Sequence, residues 1–593
     1  MISDYRWLSL SEKYKPFVLL LVSGLMGAYI NILYNSTWQI PIEPGQILAG
    51  IVKYPDNNLQ YIYMMKTWTI LNQISAILLS LGFNEITTSI ILVGLIGAVS
   101  LQALTMIIYA ISNNVILSLT GPIFISLCWP DFSVAYPISY LQMSRHSFGL
   151  FGLVYVILII GLFSSKYFKL GSLLLGIAPA IHFTMGIWTF LLIVIVLPVT
   201  YDEIKTDIKK IICFYLIGFS IFIVSFATYF LMSPGLGLLK TLEHKELVVN
   251  YIKYFDVHRR PVNFLHAGFY TGLMGAIITL IILLYKKSDE VNSLFFLKIF
   301  LVSFILATLI AIPSHFPDHL LQLQMMMPGR FININIILFL PLLLGLLGSS
   351  NNNLLDRLNF AFLVLGSLGL IIFFQVLSIQ QVTILGFSLN YLKLIFGLVL
   401  ISELVLVIST VYPDRVIAYL ENISKNINRL YGGSLMALSA VLLVILLQPL
   451  GKPYKGKFQL DPVYETVAQE QGLLLLSTPL YDFVQLKTRR PILFNPYTLD
   501  GLPYAPETAP RLNEMLEKIY GLSLRGSLAE KYKHQLLNQG LEKGLWEGRK
   551  KADWIEIRRE FGVRQILTKA DWRLELPVVA RSPRFILYAI PEK

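Results

Sequence analysis

A chain of 593 residues that is 55% hydrophobic and only 14% charged, with a mean hydropathy of +0.64, carries more apolar surface than a soluble core needs. That excludes a soluble enzyme and points to a polytopic α-helical membrane protein. The net charge of +12 is no nucleic-acid signature in this setting, because basic anchoring loops on one side of a membrane leave such an excess.

The chain opens on a polar stretch, MISDYRWLSLSEKYKP, and its first apolar run ends without a small-residue cleavage pattern, so no cleavable signal peptide is expected. About 13 transmembrane helices are expected, at 17–34, 87–110, 115–129, 149–164, 168–182, 186–200, 211–231, 267–285, 295–312, 331–348, 359–379, 390–411 and 431–450. Several fall short of the roughly 20 residues that a straight span needs. Short helices at membrane depth are tolerated where protein buries them or where they line a cavity. With a cytoplasmic N-terminus, the inner loops collect Lys166, Lys169, Lys205, Lys209, Lys210, Lys286, Lys287, Arg357 and Arg415. The outer loops are longer and carry fewer basic residues per length, as the positive-inside rule requires. The segment 68–83 reads as a helix lying at the outer face within a long first outer loop, 35–86, since counting it as a span would invert that bias. The expected location is an integral membrane protein, in a bacterial inner or plasma membrane.

Residues 1–450 therefore form the transmembrane part, and 451–593 an extracytoplasmic C-terminal α/β domain. After Gly451 charges become frequent. LLLLS (473–477), PILF (491–494), RQILT (564–568) and RFILYAI (584–590) read as short buried strands. APRLNEMLEKIYG and ADWIEIRREFG read as amphipathic helices that stop at glycine.

The unusual polar residues gather on the outer side. The first loop offers Glu43 in IEPGQ and Asp56 in YPDNN, both on turns. The second offers Asp131 and Arg145; the fourth offers Arg259 and Arg260, which suit either lipid headgroups or a substrate phosphate. His182 lies near the outer end of a short span, as a site residue or as a hydrogen-bonded core histidine. HFPDHLLQLQMMMPGRFININ (315–335) adds His315, Asp318, His319 and Arg330 at the mouth of a span. Arg330 follows Pro-Gly there, either snorkelling to the interface or using its planar fork to bind two phosphate oxygens. Its neighbours Met325, Met326 and Met327 read as apolar filler. His315 and His319 have the spacing of a helical ligand pair, but Pro317 lies between them. There is no P-loop, GxSxG or HExxH.

Glu43 and Asp56 in the first loop, Asp131 in the second, and EFGVRQILTKADW (560–572) near the end carry a resemblance to the GT-C class of integral membrane glycosyltransferases, in outline its oligosaccharyltransferase and mannosyltransferase branches. The WWDYG motif of the oligosaccharyltransferases is absent, as is Asp-x-Asp in either loop. The resemblance implies an inverting enzyme that moves a sugar from a polyprenyl-phosphate donor to an acceptor on the outer face. It implies Glu43 or Asp56 as general base, and Asp131 as an acceptor-orienting group or a ligand of a divalent cation (Mg or Mn). The donor phosphate would fall to Arg330 and Arg145 with Arg259 or Arg260, helped by His182, His315, Asp318 and His319. A lipid or solute transporter and a polysaccharide polymerase or ligase are the competing readings. Nucleic acid is not an expected partner.

Overall fold

The computed structural model describes residues 15–128, 147–232, 245–256, 259, 261–285, 294–316, 323, 326–349, 458, 460–477, 483–531 and 539–593. Its helices run α1 (Lys15–Asn35), α2 (Ile42–Leu48), α3 (Leu59–Lys66), α4 (Ile70–Ser80), α5 (Glu85–Ser112), α6 (Val115–Cys128), α7 (Ser147–Ser164), α8 (Phe168–Ile181), α9 (Phe183–Val199), α10 (Tyr201–Ile204), α11 (Ile208–Met232), α12 (Lys245–Tyr254), α13 (Ala267–Tyr285), α14 (Leu294–Ala311) and α15 (Asn333–Ser349). Ten of the thirteen expected spans are thus helices; those at 359–379, 390–411 and 431–450 lie outside the described residues. Five of the described helices are long and apolar enough to cross a membrane, so the chain is a helical membrane protein. α4 has 11 residues and spans ~16 Å, well short of a ~30 Å hydrocarbon core.

α5 is the spine of the bundle. Its 28 residues pack against α1, α6, α7 and α15, and 72% of its apolar window is buried. The Asn31 side-chain amide donates to the Val93 carbonyl at 2.8 Å, fixing α1 on it. α11 is the opposite case: only 17% of its window is buried, so its outward side is solvated by lipid rather than protein. At one end of the bundle Lys298 of α14 reaches Glu203 of α10 (2.7 Å) and the last carbonyl of α9 (3.1 Å). The functional residues lie at the other end, where α8 hands over to α9 and α11 finishes.

The C-terminal segment builds α16 (Val463–Gln469), β1 (Leu473–Leu476), α17 (Val484–Thr488), α18 (Ala509–Met515, continued by one π turn to Tyr520), α19 (Gly526–Lys531), α20 (Gln539–Glu547), α21 (Lys551–Phe561), β2 (Val563–Lys569), β3 (Val578–Arg581) and β4 (Phe585–Ala589). The sheet order is β1-β2-β4-β3, with β1 parallel to β2 and the other pairs antiparallel. The two amphipathic helices stop at Gly521 and Gly562 as expected. PILF does not form a strand. It makes one bridge, Ile492 to Leu474, and then turns away to meet the first loop. β3 has no alternating pattern, which is why the sequence did not announce it: its burial is mostly exposed.

This segment keeps one small core of its own, around Val467, Leu474, Leu567 and Phe585, but shares its larger core with the first loop and α12. Leu59 and Tyr63 of α3 and Leu247, Val248, Tyr251 and Ile252 of α12 share one buried cluster with Phe494, Leu512, Trp546, Trp554 and Trp572. Polar ties reinforce the union. Gln46 donates to Glu85 (3.1 Å) and to the Leu486 carbonyl (3.0 Å), while Arg489 forks onto both oxygens of Glu85 at 2.7 and 3.0 Å. The first loop, α12 and the C-terminal segment are therefore one packed layer capping the bundle.

Candidate functional site

The cap and the bundle enclose a cavity of about 250 Å³. Its walls come from seven separate parts of the chain. The α3–α4 turn, residues 66–69, is pinned on two sides. Thr69 donates to the Ile181 carbonyl (2.8 Å) and Tyr229 donates to the Met65 carbonyl (2.7 Å). Trp68 packs against Phe222, Phe226 and Tyr229 of α11 at centroid distances of 5.9, 5.3 and 6.1 Å.

His182 sits where α8 breaks and α9 begins, in extended backbone at φ −152°, ψ 105°. Its side chain lies on Gly152 of α7, where a Cβ would come within 2.5 Å of the His182 Cβ; glycine there makes the room for the imidazole. Arg330 stands on a 3-10 turn, Pro328–Ile332, entered through Met327 in the left-handed region at φ 49°. Trp188 Nε1 holds this approach by donating to the Met326 carbonyl at 3.2 Å. Arg330 is buried, and its Nη1 lies 3.3 Å from His182 Nε2. A guanidinium only donates, so Nε2 accepts; the ring is then neutral, with its proton on Nδ1, 3.2 Å from Thr184 Oγ1.

Arg259 enters from the segment after α12. Its guanidinium pairs with Asp256 at 2.5 Å, with both side chains almost fully buried, and stacks over the Tyr504 ring at 5.4 Å. Burial opposes the Arg259 charge, but Asp256 and Tyr504 outweigh it and hold the group above its ordinary pKa. Lys66 completes the basic lining and pairs with Glu507 behind it. Asp500 enters from the 3-10 turn Pro496–Tyr504, where Tyr251 Oη donates to its Oδ1 at 3.1 Å. The lining thus holds three cationic side chains, one neutral imidazole and one carboxylate. Its mouth is apolar: Phe183 and Phe226 line it and are 47% and 38% exposed on the bilayer-facing helices α9 and α11.

Of the expected site residues, the structure brings together His182, Arg259 and Arg330. Arg145, Arg260, Asp131, Asp318 and His319 lie outside the described residues. His315 is exposed and stacks on Phe264 at 5.4 Å, away from the cavity lining. Asp56 is exposed on its turn and does not line the cavity either. Glu43 is 4% exposed, but it lies under α17, where the Gln485 amide bonds its carbonyl at 3.0 Å and Tyr54 bonds the Gln485 oxygen at 2.6 Å. Burial pushes the Glu43 carboxyl up to about 7, with the Leu486 backbone amide pulling the other way.

That position makes Glu43 a lever on the cap rather than a group at the cavity. A carboxyl whose folded pKa exceeds its ordinary value of 4.5 contributes fully to stability below that value and loses the contribution as pH rises to about 7. Glu43→Gln therefore raises the apparent Tm at pH 8, by on the order of 3 kcal/mol of stability, and leaves it nearly unchanged at pH 5. Thermal unfolding in detergent at the two pH values checks this; an equal shift at both would rule out a titrating carboxyl here.

Sequence reading missed Lys66, Asp256 and Asp500 as parts of the site. Lys66 sits just ahead of an apolar run, and Asp256 is one of several charges in its loop. The one local signal was Asp-Gly within PYTLDGLPY, a turn dipeptide flanked by aromatics. Among the described residues no group of three or more His, Cys, Asp and Glu is placed to hold a metal. One carboxylate among three cations does not fit a divalent ion, so no step is routed through one.

The fold and the cavity define a class: a helical membrane protein whose cap and helical bundle enclose a basic cavity with exposed apolar residues of α9 and α11 in its lining. No known protein family matches the sequence, and no characterised protein matches it either.

Proposed function

We propose that the chain is a membrane glycosyltransferase that takes a sugar from a polyprenyl-phosphate donor on the outer face. One observation carries this reading. Arg330, Arg259 and Lys66 converge on a cavity whose mouth is apolar and exposed on α9 and α11. That lining matches a ligand with an anionic head and a hydrocarbon tail. Two guanidinium forks suit phosphate oxygens, and a preorganised cationic wall stabilises the charge that builds on a departing phosphate. A cavity of about 250 Å³ falls just below the usual ~300–1,000 Å³ of ligand sites, which favours a phosphate with a single sugar over an oligosaccharide.

His182 accepts from Arg330 and so holds the guanidinium in place until phosphate arrives. The α3–α4 turn, fixed by Thr69 and Trp68, supplies part of the cavity wall.

The test uses the full chain in lipid nanodiscs with a panel of undecaprenyl-phosphate monosaccharides and a membrane-extract acceptor. Release of undecaprenyl phosphate from one donor supports the transferase. Binding of undecaprenyl phosphate with no donor consumed would replace it with a lipid carrier, and absence of binding would remove the phosphate site.

A further inference from the structure

We propose that Asp500 is the catalytic carboxylate of this site, so that the C-terminal segment, not the first loop, takes the proton from the acceptor hydroxyl. The assignment rests on the transferase reading above and deepens it.

Asp500 is the one carboxylate among the described residues that line the cavity. Glu43 is buried under α17 and Asp56 points to solvent, so neither reaches the space where a sugar would sit. Asp256 is nearby, but its carboxylate is buried against the Arg259 guanidinium and backbone amide. Asp500 instead stands on the cap wall with Arg259 and Lys66, across from Arg330 and His182 on the bundle wall. A single displacement at an anomeric carbon uses that division, with the base on the cap side and Arg330 on the leaving phosphate.

The structure also fixes Asp500 in place. Its turn is pressed onto α3 at Gly501, where a Cβ would come within 2.6 Å of the Tyr63 Cβ, so only glycine allows the approach. Tyr63 Oη bonds Thr508 Oγ1 at 2.8 Å, anchoring the next 3-10 turn, Pro506–Thr508. Tyr251 donates to Oδ1, and burial keeps that phenol protonated, so it acts as a donor and does not compete for the proton. A carboxylate has about four lone-pair sites, so accepting from Tyr251 does not exhaust its capacity.

The step balances. The acceptor O–H proton moves to Asp500 as its oxygen bonds to the anomeric carbon. The bond from that carbon to the phosphate oxygen breaks, and its electron pair leaves with polyprenyl phosphate, facing Arg330. Asp500 then returns the proton to solvent.

The experiment compares wild type, Asp500→Asn, Asp500→Glu and Tyr251→Phe in nanodiscs. Donor consumption and equilibrium binding of undecaprenyl phosphate are measured on the same samples. Asp500→Asn is expected to lose about 100-fold or more in kcat while binding undecaprenyl phosphate within about threefold of wild type. It should also lose the acid limb of the pH–rate profile. Tyr251→Phe, which keeps the carboxylate, should stay within about tenfold. If Asp500→Asn does not fold, Asp500→Glu decides: partial activity with the acid limb retained supports the assignment, and complete loss with intact binding and no acid limb overturns it. Turnover within about threefold for Asp500→Asn overturns it, as does an equal loss in Asp500→Asn and Tyr251→Phe, which marks a structural role. A wild type that binds undecaprenyl phosphate but consumes no donor overturns the transferase reading itself and this assignment with it.

Discussion

Replacing Arg330 with alanine is expected to weaken binding of undecaprenyl phosphate by about 30-fold or more. The guanidinium is buried and meets His182 Nε2 at 3.3 Å, so it is fixed before any ligand arrives. Truncating one partner of a buried, hydrogen-bonded charge pair costs ~2–5 kcal/mol, and each ~1.4 kcal/mol is a factor of ten. Arg330→Lys should fall between the two, since a point charge on a flexible stem keeps the attraction and loses the fork. His182→Ala should cost less, because the imidazole acts by positioning Arg330. Titration of nanodisc samples with undecaprenyl phosphate separates the three. Equal affinity for wild type and Arg330→Ala would move the phosphate elsewhere.

The second large effect falls on stability. Asp256→Ala strips the partner from a guanidinium that is almost fully buried. Breaking a buried pair from one side costs on the order of 3–5 kcal/mol, because the remaining charge loses the carboxylate that balances it. Asp256 also accepts from the Arg259 backbone amide at 3.2 Å, so the turn loosens as well. The double variant Asp256→Ala with Arg259→Met should recover much of the loss, since it buries no charge. Inorganic phosphate should stabilise Asp256→Ala more than wild type by supplying the missing anion. Differential scanning fluorimetry of the three proteins with and without phosphate checks both points. An Asp256→Ala protein as stable as wild type would mean that water reaches Arg259.

Much of the architecture was legible because it is written locally. A run of apolar residues makes a helix in lipid whatever its neighbours do, since backbone groups there must be satisfied within the segment. The runs at 87–110, 149–164, 168–182 and 211–231 accordingly became α5, α7, α8 and α11. The stop at Gly562 is similarly local, a helix end in the left-handed region at φ 72°. The strands β1, β2 and β4 were legible from buried apolar stretches, whereas β3, with mostly exposed residues, was not.

The site was only half legible. Arg330 and His182 stood out because a cation or an imidazole at the end of an apolar run has few ordinary reasons to be there. Glu43 stood out as a carboxylate on the first outer loop, where the resemblance implies a general base, yet packing placed it under α17, not in the cavity. Lys66 and Asp500 carried little local oddity, since a charge on a wet loop is unremarkable until another segment folds over it. The sequence by itself determined a helical membrane chain with a mixed α/β segment after Gly451, because hydrophobicity and turn chemistry act over a few residues. Only the tertiary structure decided that Lys66, His182, Arg259, Arg330 and Asp500 share one cavity. Their convergence depends on how α3, α8, α12 and the Pro496–Tyr504 turn pack together, and contacts across more than 400 residues leave no pattern in any one segment.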